Sequence, residues 1–289
     1  MAELLQWPGR LWRVFATGLS FVCFGIGGML LWLVVFPLQA LLLPEARRQQ
    51  AARSVVRAVF RLFIGFMRLV GLIRYELVGV EKLQRRGLLV LANHPTLIDV
   101  AFLIGLVPNA SCVVKSTLAD HPCTRGPVRA TGYICNNPGS DLLLACTDTL
   151  AAGSNLIIFP EGTRSRPGQP LKMQRGAAQI ALRGGLDVTP VRIRCEPLGL
   201  YKGQPWWTVA KRPLHFIIEV GDDMPTAPIL EAAGGEHGRA ARRLTESLIQ
   251  FFTEPARMSA AEGKGSHASV GTGNQGTADL GTPAGGSQA

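Results

Sequence analysis

Leu88-Leu89-Val90-Leu91-Ala92-Asn93-His94-Pro95-Thr96-Leu97-Ile98-Asp99 is an apolar run of strand length that breaks into a polar, proline-containing turn. A second stretch, Leu156 to Phe159, does the same and opens into Pro160-Glu161-Gly162-Thr163-Arg164-Ser165. Each reads as a buried strand that delivers its C-terminal loop to one edge of a sheet. In open α/β sheets that edge is where ligands bind. The first loop carries an imidazole and a carboxylate five positions apart; the second carries a carboxylate, a glycine and a guanidinium.

Imidazole accepts and releases a proton near neutrality, which suits a base that deprotonates a hydroxyl as it attacks a carbonyl. His94 is the candidate base. A carboxylate on its other ring nitrogen would fix the tautomer and stabilise the imidazolium, and Asp99 is placed for that role. Pro95 suits the first position of a helix, so a short turn would bring Asp99 beneath His94. No Gly-x-Ser-x-Gly elbow is present to supply a nucleophile, so the attacking hydroxyl belongs to the substrate. The alternative is a loop histidine followed by a first-turn acid at a helix start. In the second loop Glu161 and Arg164 could form a surface ion pair, but Gly162 and Thr163 between them let the backbone approach a ligand, and a guanidinium fork matches phosphate oxygens.

Asn93-His94 to Asp99 and Phe159 to Ser165, in this order, resemble the first and third sequence blocks of the lysophospholipid and glycerophosphate acyltransferases, the family of 1-acylglycerol-3-phosphate acyltransferase. Lys115 after an apolar strand, Gly132-Tyr133-Ile134, Lys172 to Ala177 and Val188-Thr189-Pro190-Val191 extend the resemblance from about Tyr75 to Val220. The resemblance implies a mixed, largely parallel α/β sheet flanked by helices. It implies that His94 and Asp99 are the catalytic dyad, and that Glu161, Gly162, Thr163 and Arg164, with Gly132 and Lys115, hold the acyl acceptor. It implies no cofactor, the acyl donor being a thioester of coenzyme A or acyl carrier protein. The sequence departs from the family at its second block, which usually ends in an arginine and here reads Ile134-Cys135-Asn136-Asn137. Either Arg164 with Lys115, Arg125 or Arg129 suffices for a phosphate, or the acceptor is an amino-acid lipid, a glycolipid or a dedicated pathway product. Pro95-Thr96 also stands where many members have a polar residue and serine. A silent membrane scaffold of the same fold is the alternative of another class.

The rest of the chain points to a membrane. Apolar residues make up 47% of the 289, and mean hydropathy is positive. From Val14 to Pro44 no side chain is charged, and a helix of about 30 residues would extend about 45 Å, beyond the roughly 30 Å of hydrocarbon it must cross. Residues 1–50 therefore read as a retained anchor, with Pro37 allowing either one tilted span or a re-entrant hairpin. Residues 51–74 read as a basic amphipathic helix in which Arg53, Arg57, Arg61 and Arg68 share one arc, expected to lie on lipid phosphates. Arg47, Arg48 and this arc against Arg10 and Arg13 upstream put the catalytic side in the cytoplasm, at the inner membrane if the source is bacterial.

Residues 75–255 are expected to be the acyltransferase domain. Strands are predicted over Tyr75–Val80, Gly87–Ala92, Ala110–Val114, Leu156–Phe159, Val188–Arg194, Thr208–Ala210 and Phe216–Val220, and helices over Thr96–Leu106, Ser140 or Asp141 to Ala151, Arg175–Arg183 and Ala240–Phe252. His121 and His215 read as non-catalytic, and Trp206-Trp207 as either headgroup-level residues or sheet-edge packing. Residues 256–289 are rich in Gly, Ser, Ala and Thr and read as a disordered tail. Its Gly271-Thr272-Gly273-Asn274-Gln275-Gly276 follows no strand and opens no helix, so a dinucleotide site fails. The net charge of +10 suits an anionic membrane surface rather than nucleic acid, because the arginines interleave with apolar residues. Six scattered cysteines support neither zinc nor a disulfide framework.

Overall fold

In β2 (Leu89–Ala92) and β5 (Asn155–Ile158) every residue is buried, as parallel strands covered on both faces require. Successive side chains point to opposite faces, and a layer of helices covers each. Val90, Ala92 and Ile157 pack with Val56, Ile64 and Met67 of α3 (Glu45–Leu69) and Phe102 and Leu103 of α4 (Asp99–Leu106). Leu89, Leu91, Leu156 and Ile158 pack with Leu150 of α7 (Leu142–Ala151), Ala181 of α8 (Gly176–Arg183) and Leu244 and Leu248 of α10 (His237–Thr253). Full burial of each Leu or Ile contributes about 1.5–3 kcal/mol, so these two strands anchor the three layers.

This computed structural model describes residues 7–136 and 141–254, which leaves the predicted tail, Asn137 and Ser140 outside the described residues. The other strands are β1 (Ile73–Val78), β3 (Ala110–Lys115), β4 (Ile134–Asn136), β6 (Val188–Glu196) and β7 (Leu214–Val220). The sheet order is β1-β7-β6-β2-β5-β3-β4, with β6 and β7 antiparallel and every other neighbouring pair parallel. This is the mixed, largely parallel sheet that was expected. The C-terminal ends of β2, β3, β4 and β5 consequently share one edge. Short helices α5 (Thr117–Asp120), α6 (Arg125–Thr131) and α9 (Thr226–Ala232) complete the described fold.

The N-terminal segment forms α1 (Trp7–Leu30), a π-helical turn at Leu31–Val35 and α2 (Phe36–Leu42) without a reversal. The segment does not reverse at Pro37. Pro37 sits in the first turn of α2, where its missing N–H is tolerated, and the π turn precedes it. Gly9–Leu42, 34 residues with a hydropathy of 2.3, is long and apolar enough to cross a membrane. It runs back along α3: the Trp12 indole donates to the Val70 carbonyl at 2.9 Å, and Phe24 meets Phe60 and Phe63. Gly28 lets α1 approach the Cys123 carbonyl, and Gly126 lets Trp32 lie against α6, with the Arg125 guanidinium 4.3 Å from the Trp32 ring centre.

Along the arginine arc of α3, Arg53 and Arg57 turn into protein, while Arg61 and Arg68 stay exposed. Arg53 is buried and donates to the Thr131 carbonyl at 2.8 Å and the Ser154 hydroxyl at 2.6 Å. Arg57 donates to the Gly105 and Leu106 carbonyls that end α4, where the helix dipole favours cations. Arg68 lies over the Tyr75 ring, 5.3 Å from its centre. Two element boundaries also change. The helix predicted from Thr96 begins at Asp99, because the Thr96 amide donates to the Asp99 side chain instead of starting a helical ladder. Thr208–Ala210 is no strand: Arg13 takes the Ala210 carbonyl at 3.0 Å, and Trp206 packs on Phe21 of α1.

Candidate active site

Asn93 ends β2 by substituting its side-chain amide for a peptide group. Its Oδ1 accepts from the Ile193 N–H at 2.7 Å and its Nδ2 donates to the Ile193 carbonyl at 2.8 Å, so pairing with β6 continues while the backbone turns away. The next residue is His94. Its Nδ1 lies 2.9 Å from Asp99 Oδ2, and Asp99, at the first turn of α4, is fully buried. The Thr96 amide donates to the same oxygen at 2.7 Å and the Thr96 hydroxyl to Oδ1 at 2.5 Å. Backbone N–H groups only donate, so the carboxylate is the acceptor and His94 carries its proton on Nδ1. Burial pushes the Asp99 carboxyl above the usual carboxylate range, and the bonds from His94 and Thr96 oppose that shift. The His94 side chain is 15% exposed, its ring stacks on Phe159 with centres 4.3 Å apart, and Nε2 has no partner among the described residues. This is a base held in one tautomer with its accepting nitrogen open.

The second loop is bonded to the first. Glu161 Oε1 accepts from the His94 amide at 2.7 Å, the Ser165 amide donates to the His94 carbonyl at 2.8 Å, and the Ser165 hydroxyl donates to Glu161 Oε2 at 2.8 Å. Glu161 is thus a buried strut, and desolvation raises its pKa against the pull of those bonds. Gly162 turns with φ of 65° and leaves its neighbourhood open. Thr163 and Arg164 are half-buried beside it. Arg164 Nη1 donates to the Leu200 carbonyl at 2.9 Å, and the Leu97 amide donates to that same carbonyl at 3.1 Å. Leu200 adopts φ of 56°, a left-handed conformation costly for a branched side chain and concentrated at functional sites.

Lys115 stands exposed at the end of β3, on the edge that carries His94. Gly132 does not reach that edge. It closes α6 with φ of 63°, its carbonyl lies 3.5 Å from the Ser111 hydroxyl, well before the end of β3, and Gln49 fills the space a side chain would need. His121 is exposed, with Nδ1 accepting from the Cys123 amide, and His215, at the start of β7, pairs with Glu76 of the neighbouring β1 at 3.0 Å. Among the described residues no cluster of His, Cys, Asp or Glu is arranged to hold a metal. Sequence reasoning missed the supporting roles of Asn93, Ser165 and Leu200. The first two lie inside the quoted motifs, whereas Leu200 gives no signal, since any residue could supply its carbonyl.

Residues 74–194 match the family model described as Acyltransferase. Over 172 residues the chain is 30% identical to the 1-acyl-sn-glycerol-3-phosphate acyltransferase of Helicobacter pylori, covering 55% of this chain and 70% of that one. Over 208 residues it is 28% identical to the enzyme of the same name from Pseudomonas aeruginosa, covering 70% and 76%. The crystal structure of the 1-acyl-sn-glycerophosphate acyltransferase PlsC from Thermotoga maritima superposes with a TM-score of 0.62 at 19% identity, over 87% of this chain and 96% of that one, which shows the shared fold.

Proposed function

This chain belongs to the acyltransferase family that includes the 1-acyl-sn-glycerol-3-phosphate acyltransferases, and from that premise we propose that it is a membrane-bound O-acyltransferase converting 1-acylglycerol-3-phosphate to phosphatidate. The acceptor's free hydroxyl gives its proton to His94 Nε2 as its oxygen attacks the carbonyl of an acyl thioester. Asp99 stabilises the imidazolium that forms. The C–S bond then breaks, the thiolate leaves with the proton from Nε2, and the acyl chain has passed directly to oxygen. The single observation that carries this reading is the 2.9 Å His94–Asp99 contact beneath an open Nε2. Arg164, whose Nη1 is tied to Leu200, offers the rest of its guanidinium to the acceptor's phosphate, and Lys115 adds a second cation. The donor is acyl-CoA or acyl carrier protein. The apolar helix holds the enzyme at the bilayer, with the domain on the cytoplasmic face. A second reading keeps the chemistry and changes the acceptor to an amino-acid lipid, a glycolipid or a dedicated product. It is favoured by Asn136, the register partner of Lys115, an amide where the resemblance leads one to expect a cation nearby.

The test is acyl transfer by the purified full chain in detergent, offering one labelled thioester to lysophosphatidic acid, other lysophospholipids and hydroxylated amino-acid lipids, with His94→Ala as control. Transfer to lysophosphatidic acid that the variant loses is the expected result. Transfer only to another acceptor overturns the substrate, and equal rates in wild type and variant overturn the mechanism. Arg164→Ala should raise the acceptor KM by the equivalent of about 1.5–3 kcal/mol; a change confined to turnover at saturating acceptor would refute its role.

A further inference from the structure

The edge of the sheet opposite the catalytic loops holds a cavity of about 390 Å³ between α3 and the loops that open three strands. Arg86 precedes β2, Asn109 precedes β3 and Asn155 opens β5, while Arg57 and Arg61 reach in from α3 with Gln50 and Ser54. No carboxylate lines the cavity among the described residues. Arg57 uses Nε and Nη2 on the Gly105 and Leu106 carbonyls and keeps Nη1 free of protein partners among the described residues. Arg61 and Arg86, both exposed, form no hydrogen bond or ion pair there. Burial first, and then the charge of Arg61, hold the Arg57 pKa below its ordinary value.

We propose that Arg57, Arg61 and Arg86 form a second anion site, on the face of the sheet's non-catalytic edge, that takes the phosphate of an anionic phospholipid head group. Three guanidinia converging without a counter-charge repel one another, and a phosphate removes that repulsion with bidentate, charge-assisted bonds. Gln50 adds a neutral side-chain amide on the same side of α3, while the Ser54 hydroxyl donates to the Gln50 carbonyl. The lipid is preferred as the source because Leu62 and Leu69, 73% and 85% exposed, flank the arginine arc on α3, one side of which would meet acyl chains while the arginines meet head groups. The site lies across the sheet from His94, so it is not the acceptor's phosphate subsite, and it stands whether or not the acceptor is lysophosphatidic acid.

The test uses the full chain in neutral detergent and reads backbone hydrogen exchange over residues 50–61 and 105–110. Inorganic phosphate and short-chain phosphatidylglycerol are titrated separately, with short-chain phosphatidylcholine as the zwitterionic control. The comparison is with the double variant Arg61→Gln/Arg86→Gln, which removes two guanidinia that hold no protein partner among the described residues. The expected result is saturable protection by phosphatidylglycerol, with an apparent affinity at least about tenfold weaker in the variant. Equal protection by inorganic phosphate would support the site and identify free phosphate as a sufficient ligand. Absence of protection by either anion, equal protection by phosphatidylcholine, or identical titrations of variant and wild type would each overturn the proposal. Wild-type acyl transfer by the variant on a short-chain acceptor would show that the catalytic edge is intact, which separates failure here from failure of the catalytic assignment.

Discussion

Thr96→Val isolates one hydrogen bond in the proposed catalytic dyad. The side chain is fully buried, valine matches its volume, and the substitution deletes only the 2.5 Å bond from the hydroxyl to Asp99 Oδ1, while the Thr96 amide still donates to Oδ2. A hydrogen bond to a charged group contributes about 1.5–3 kcal/mol, so the variant should lose stability in that range. The same bond holds Asp99 against the imidazolium in the transition state. If it is needed equally there, kcat falls by about ten- to a hundredfold at 1.36 kcal/mol per decade. The two readouts separate through pH. Stripped of one donor, the Asp99 carboxylate becomes more basic and favours the protonated ring more strongly. The acid limb of the kcat profile, which reports loss of the neutral base, should therefore move to higher pH. Thr96→Ser keeps the hydroxyl and should leave that limb where wild type has it, whatever its stability. The assay is acyl transfer from a labelled thioester across the pH range, with thermal unfolding run in parallel. A Thr96→Val profile superimposable on wild type would refute the assignment of Thr96 as a positioning residue for the dyad.

Asp99→Asn should lower kcat by about 10²- to 10⁴-fold, because an amide that donates to Nδ1 moves the ring proton to Nε2 and blocks the base; unchanged turnover in steady-state kinetics would sink the dyad. Glu161→Gln should stabilise the fold near neutrality. The raised pKa of Glu161 means that, above the ordinary carboxylate range and up to that raised value, the folded chain holds a proton the unfolded chain has lost, so wild-type stability falls as pH rises through the window. The Tm advantage of glutamine should shrink to nothing as pH drops below the window, and a pH-independent Tm difference would contradict it. Gly126→Ala should cost about 1–3 kcal/mol, since its new methyl meets Trp32; thermal unfolding in detergent that matches wild type would show that α1 and α6 are not in contact as described.

Legibility in the sequence followed the range of the forces involved. β2 and β5 could be read because an apolar run bounded by turn residues is a local statement about burial on both faces, and the loops they deliver could be read because chemistry follows directly at their ends. The placement of Asp99 under His94 was likewise within reach of a five-residue turn. The arginine arc of α3 was visible as a period, but a period does not say what the arc faces. A phosphate and the carbonyls ending α4 satisfy the same kind of cation, and only the long-range packing of α3 on α4 gives two of the Arg57 donors to the carbonyls. β4 has three residues, too few to register against a turn-rich background. Gly132 was transferred by resemblance to the acceptor site, whereas its left-handed φ and the crowding by Gln49 give it a purely local reason to be glycine. Pro37 signalled a break that the preceding π turn absorbs.

The three hydrogen bonds that tie His94 to Glu161 and Ser165 join positions up to 71 apart, counted from His94 to Ser165, into one covalent-like ring of dependencies. A substitution at Ser165 changes the environment in which every substitution at Glu161 or His94 is expressed, so their effects on fitness will be epistatic rather than additive. Recombination between distant relatives that separates residue 94 from residues 161–165 should therefore be selected against even when both parental loops carry the same motif. The heritable unit of this active site is the pair of loops.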